Sequence, residues 1–96
     1  MVDVNWTKRA LKDIDNIAEY IAKDSFHYAQ IQVKRFFDKS EILQKHPTIG
    51  RIVPEKKQNN IREIVLGNYR IIYKIISKDQ IDILTVHHSK RLLRNI

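Results

Sequence analysis

Four dipeptides hold most of the chemistry that the second half of this chain could perform: Arg62-Glu63, Tyr69-Arg70, His87-His88 and Lys90-Arg91. Each opens or closes an apolar run, or lies just past one. A guanidinium presents a rigid fork of donors to an anion, and an imidazole changes charge near neutral pH. Gathered at the ends of strands, these groups suit an anionic partner. The overall charge agrees: 18 Lys/Arg stand against 11 Asp/Glu, a net +7 over 96 residues. Residues 1–50 contribute only +1 of that, and residues 51–96 contribute +6. The arginines sit inside apolar runs instead of on a solvated helix face, which argues for more than a soluble basic surface.

The runs that must position these groups are Ile61–Leu66 (IREIVL), Tyr69–Ile76 (YRIIYKII) and Ile81–His88 (IDILTVHH). Gly67-Asn68 separates the first pair and Ser77-Lys78-Asp79-Gln80 the second. Rich in Ile, Val, Leu and Tyr and broken by turn residues, they predict an antiparallel three-stranded meander. Apolar side chains occupy both parities, so the strands are expected to be covered on both faces, or nearly so. Arg62 shares a face with Ile64 and Leu66. Adjacent His87 and His88 point in opposite directions if the strand is regular. Tyr69 and Tyr73 share a parity and read as core. Arg70 has a structural alternative, an ion pair with Glu63 across the hairpin. The simplest reading of each histidine is a hydrogen-bonded strand end.

The first half supplies the cover. Val2, Val4 and Trp6 alternate with polar residues, as in a short strand with one buried face. Thr7 is a helix cap, and Ala10, Ile14, Ile17 and Ile21 follow at helical spacing, predicting a helix over 8–23. Ser25 caps a second helix over 26–45, with Ala29, Val33, Phe36, Ser40 and Leu43 on its stripe and Pro47 ending it. The two form a helical hairpin whose apolar stripes need the sheet. Arg51–Glu55 is extended, and Pro54 makes it a poor central strand. Lys56–Asn60 is a polar loop. Leu92, Leu93 and Ile96 form an apolar tail that either joins the core or leaves a protein-binding patch open. The expectation is a single α+β domain spanning 1–96, with Trp6, Ile14, Ile17, Ile21, Val33, Phe36, Ile71 and Ile83 buried.

Several classes of function fall away. No cysteine is present, so disulfide and thiol chemistry are excluded, and a reducing cytoplasm is the expected setting. No apolar run is long enough to span a bilayer, and no leader pattern opens the chain. His27 and His46 have no HxxH or HxxxH spacing that argues for a metal. There is no P-loop and no GxGxxG, and no cofactor is expected.

In order along the chain stand WTKRA at Trp6–Ala10, DIDNIAEYIAKD at Asp13–Asp24, HPTIGR at His46–Arg51 and VPE at Val53–Glu55. IREI at Ile61–Ile64, YRIIY at Tyr69–Tyr73 and ILTVHH at Ile83–His88 follow, with Lys90-Arg91 after them. This arrangement resembles the RelE/ParE superfamily of type II toxins over nearly the full length. The resemblance implies a small toxin encoded beside an antitoxin that wraps and neutralises it. The long helical hairpin looks more like the ParE branch, whose members poison DNA gyrase. The alternative is the RelE branch, which cleaves mRNA on the ribosome without metal, through attack of the RNA 2′-hydroxyl on the neighbouring phosphate. That chemistry needs cations for the phosphate, a base and an acid. The RelE-branch likeness assigns the cations to Arg62, Arg70 and Arg91, with His87, His88 or Glu63 as substitutes in proton transfer. The departures are the branch's later tyrosine, since nothing after Tyr73 is Tyr, and its second strand lysine, replaced by Ile64. A basic domain that binds nucleic acid without catalysis is a third reading.

Overall fold

The computed structural model describes residues 1–90. Its elements are β1 (Asp3–Trp6), α1 (Lys8–Ala22), α2 (Phe26–Glu41), β2 (Arg51–Ile52), β3 (Ile61–Leu66), β4 (Tyr69–Ser77) and β5 (Gln80–His88), with a 3-10 turn at Ile42–Gln44 after α2. The predicted strand, helical hairpin and meander are all present, and they form an α+β domain with the helices on one face of the sheet. Both predicted caps form. Thr7 Oγ1 accepts from the Ala10 N–H at 3.2 Å, and Ser25 Oγ accepts from the Tyr28 N–H at 3.1 Å. The Thr7 hydroxyl also donates to the Ile83 carbonyl at 2.7 Å, so the cap that starts α1 fixes it to β5. The regular part of α2 ends four residues before the expected 45. There the Ser40 hydroxyl bonds back to the Phe37 carbonyl at 2.8 Å, a contact that competes with regular helix, and the chain tightens into the 3-10 turn.

The meander is the centre of a wider sheet. Strand order is β1-β5-β4-β3-β2. β1 runs parallel to β5, with Val4 opposite Ile81 and Trp6 opposite Ile83. The α1–α2 hairpin carries the chain from β1 to β2 at the opposite edge, and the antiparallel run β2 to β5 then brings β5 back beside β1, so the parallel pair has the long connection it requires. β2 is only two residues at the far edge, antiparallel to β3. Proline tolerates such a place, and Pro54 lies just past it. Gly67 takes φ +58°, at the first central position of the two-residue β3–β4 turn, where a residue without Cβ is favoured. The β4–β5 register shifts at Leu84, left over between the pairs Ile72↔Thr85 and Tyr73↔Ile83, and again at Ile76. Extra residues of this kind bend and twist a ladder.

The main core lies between the helices and the sheet: Ala10 and Ile14 from α1, Phe36 from α2, Leu43 after it, and Ile64, Ile71, Tyr73, Ile81, Ile83 and Val86 from the strands. A second, smaller cluster forms on the opposite face, where Val53 covers Ile61 and Ile72 with Leu84 beside them. The cover expected on that face therefore comes in part from the segment after β2. Leu92, Leu93 and Ile96 lie outside the described residues. Of the eight residues expected in the core, Ile14, Phe36, Ile71 and Ile83 are buried, and Trp6, Ile17, Ile21 and Val33 are half-buried. Trp6 stays partly open because β1 is an edge strand; its ring packs on Phe37 at 4.8 Å.

Candidate functional site

Glu63 and Arg70 meet because of the hairpin register. Val65 faces Arg70 and Glu63 faces Ile72, so Glu63 and Arg70 are diagonal neighbours on one face. Arg70 Nη2 and Nε donate to Glu63 Oε1 at 2.6 and 3.2 Å. The same guanidinium donates through Nη1 and Nη2 to the two oxygens of Glu55, both at 2.9 Å. Arg51, at the sheet edge, completes the set by donating from Nε to Glu63 Oε2 at 2.8 Å. The result is a chain of alternating charge, Glu55–Arg70–Glu63–Arg51, that ties β2, β3, β4 and the segment after β2 together. Arg70 and Glu63 side chains are 6% and 0% exposed, and Arg51 is 67% exposed. The hydrogen bonds that Arg70 donates to Glu55 raise its pKa well above the ordinary value; burial opposes this and Glu63 adds to the rise. The ion-pair alternative for Arg70 is the arrangement found.

Arg62 has a different role. Its position opposite Tyr73 puts it on the other face from Arg70. Its Nε donates to the Asn59 carbonyl at 3.0 Å, and its Nη1 to the carbonyls of Gly50 at 2.9 Å and Thr48 at 3.4 Å. It joins the Pro47–Gly50 turn to the loop that enters β3. Tyr73 secures that turn from below. Its hydroxyl donates to the Pro47 carbonyl at 2.8 Å and accepts from the Gly50 N–H at 3.0 Å. Burial raises the Tyr73 pKa, in part offset by the Gly50 hydrogen bond and by Arg62.

His87 stands opposite Arg70 in the register and His88 opposite Tyr69. Both line a cleft of about 690 Å³ between α1 and the end of the β4–β5 ladder, with Asp13, Asn16 and Tyr20 on its α1 side. The His88 ring meets the edge of Tyr69 at 5.9 Å. Asp13 Oδ2 accepts from the Thr85 hydroxyl and, at 3.1 Å, from the Val86 N–H, which pins α1 to β5 just past its irregular residue. Arg91 lies outside the described residues.

The structure thus brings Arg70 and His87 to neighbouring strands and separates both from Arg62. It also engages residues that the sequence did not single out for the site. Glu55 and Arg51 clamp Arg70 and Glu63, and Asp13 and Thr85 hold the helix to the sheet. Ile64, where the RelE-branch pattern has its second lysine, is buried in the main core. The Arg62 and Arg70 donors described above go to acceptors of the chain itself, so these two cations do not form one cradle for a phosphate. Among the described residues no group of three His, Cys, Asp or Glu could hold a metal ion. No helix of the described residues is long and apolar enough to cross a membrane.

The architecture is an α1–α2 hairpin on a five-stranded sheet, with an arginine held by glutamates across the central strands, and sequence comparison gives its family. Residues 4–93 match the ParE toxin of the type II toxin-antitoxin system, parDE. The chain belongs to this family. A candidate toxin, Y4kP of Sinorhizobium fredii, is 38% identical over 88 residues, covering 90% of this chain and 86% of that protein. Toxin RelE2 of Caulobacter vibrioides is 29% identical over 92 residues, covering 96% and 100%. A solved structure of the chromosomal ParDE TA system from P. aeruginosa shares the fold, with a TM-score of 0.77 at 20% identity, over 94% of this chain and 98% of that one.

Proposed function

We propose that this chain arrests growth by poisoning DNA gyrase, as the toxin of a type II module, and is kept silent by a cognate antitoxin. The observation that carries the gyrase reading is the commitment of the two strand arginines. Arg70 is 5% exposed and held by Glu55 and Glu63, and Arg62 is bound to backbone carbonyls on the other face. A ribonuclease of the RelE kind needs oriented cations around a phosphate, and losing even one such donor in an active site costs on the order of 3 kcal/mol. Here those donors stabilise the fold. With Ile64 in the core and no tyrosine after Tyr73, the chain is a binding protein without catalysis. The net charge of +7 selects an acidic antitoxin.

The test has two arms. Purified protein is added to gyrase supercoiling relaxed plasmid, and mRNA from cells expressing the protein is mapped by primer extension. Inhibited supercoiling with intact transcripts is the expected result. Cleavage at ribosomal A-site codons with unaffected gyrase would replace the reading with ribosome-dependent mRNA cleavage.

A further inference from the structure

His87 and His88 take no part in the function proposed above, yet both line the cleft of about 690 Å³ between α1 and the end of the β4–β5 ladder. That volume lies within the roughly 300–1,000 Å³ of sites that take small molecules. One stripe of α1 makes the helix wall, since Asp13, Asn16, Ile17 and Tyr20 follow at i, i+3, i+4 and i+7. The sheet wall is held in place from two sides. The Tyr69 ring meets Phe36 at 5.3 Å and His88 at 5.9 Å. The Ser89 N–H donates to the Asn68 carbonyl at 2.6 Å, which ties the β3–β4 turn to the end of β5.

The lining changes character with depth. Ile17 and Val86 are half-buried and buried, and they give the cleft an apolar floor. Asn16, Tyr20, Asn68 and His88 are exposed and make its mouth, with Tyr20 at 71%. A phenol ring from the helix side and an imidazole from the sheet side suit the stacking of a flat ring. The two amides each offer a donor and an acceptor to its edge. An apolar peptide segment seated here would bury those amides without partners, which costs free energy. Asp13 brings a carboxylate, but it is bound by the Thr85 hydroxyl and the Val86 N–H. Exposed Lys90 follows two residues after His88, in the half of the chain that carries +6 of the net charge. A flat ring with a polar edge and an anionic tether is a nucleotide.

We infer that this cleft is a binding site for one unpaired DNA base. The base stacks at the mouth between Tyr20 and His88, Asn16 and Asn68 meet its edge, and its phosphate lies toward Lys90. The choice of DNA over RNA rests on the gyrase reading above, whose target opens DNA; the base site itself rests on the cleft alone.

The test uses the full chain and fluorescence anisotropy at fixed salt, without gyrase. The probes are a single-stranded dT oligonucleotide of about twelve nucleotides, an abasic oligonucleotide of the same length and charge, and the matching rU oligonucleotide. The parent chain is expected to bind dT about tenfold more tightly than the abasic strand, the worth of one stacked base. Tyr20→Ala and His88→Ala should each remove most of that difference and leave abasic binding unchanged. Tyr28→Ala, at a tyrosine 64% exposed on α2, serves as the control and should bind as the parent does. Thermal unfolding establishes which variants fold, and the comparison of oligonucleotides on the parent chain needs no variant. Equal binding of dT and abasic strands, or dT binding unmoved in the folded Tyr20→Ala and His88→Ala proteins, overturns the site. Binding of rU about tenfold more tightly than dT overturns the DNA assignment. Failure of the parent to bind any of the three also overturns the site, and leaves the gyrase reading to its own supercoiling assay. Base-dependent binding of dT beside unaffected gyrase would remove the gyrase reading and keep the site.

Discussion

Replacing Arg70 by Ala should unfold this protein at a much lower temperature, whatever it does to toxicity. The substitution removes four hydrogen-bonded contacts from a guanidinium whose side chain is 6% exposed. It leaves Glu63, with a side chain 0% exposed, holding only Arg51. Breaking a buried ion pair from one side costs about 3–5 kcal/mol, because a charge remains without its counterpart. The lower end applies here. Glu63 keeps one cation, and the Glu55 side chain, 20% exposed, can turn to water. A loss of about 3 kcal/mol in a domain of this size lowers Tm by roughly 12–24 °C. Arg70→Lys should recover only part of this, since an ammonium cannot form the two-pronged contact with Glu55. Paired replacement by apolar residues, Arg70→Met with Glu63→Leu, should lie closer to the parent than Arg70→Ala does. Differential scanning calorimetry decides the matter. An Arg70→Ala protein with a Tm within about 2 °C of the parent, well under the shift expected for 1 kcal/mol, would refute the reasoning. The consequence reaches function, since lost toxicity in Arg70→Ala identifies a catalytic arginine only if the variant remains folded.

Three further outcomes follow from the same contacts. Gly50→Ala should lose about 1–3 kcal/mol, measured by urea unfolding, because the new Cβ would stand 2.6 Å from the Glu63 carbonyl oxygen and 2.7 Å from the Tyr73 ring. Asp13→Ala should cost about 2 kcal/mol in the same assay, through loss of the Thr85 and Val86 contacts, and should raise hydrogen exchange at the Val86 amide. Tyr73 gives the protein an alkaline limit. Its folded pKa is raised above the ordinary 10.0, so its contribution is complete below pH 10 and is lost as the pH climbs through the raised value. Tyr73→Phe should flatten that part of the stability profile.

The local patterns of this chain state their structure clearly. Thr7 and Ser25 both cap where short-range rules place them, and Ile14 and Phe36 reach the core from stripes visible in the spacing. Gly67 turns the β3–β4 hairpin. What the spacing does not state is pairing at a distance. Nothing between Asp3 and Trp6 marks β5 as its parallel partner nearly eighty residues later, since a short alternating strand fits either direction. The same holds for the charge chain. The Glu63–Arg70 pair is readable because only a hairpin separates them. Glu55 reaches Arg70 through a loop whose path follows from Val53 seating on Ile61 and Ile72, and tertiary packing of that kind leaves no periodic trace. The irregular residue at Leu84 likewise breaks the two-residue repeat on which strand faces are counted.

The poisoning of gyrase proposed above differs from simple inhibition in that a poison traps the enzyme on broken DNA. The direct measurement is the amount of linear plasmid released by detergent and protease from reactions of purified gyrase, plasmid and ATP, over a titration of this protein. Linear DNA that rises with the protein and falls when the adjacent-frame protein is added is the predicted result. A titration that leaves the plasmid uncut and supercoiling at its normal rate would contradict the account.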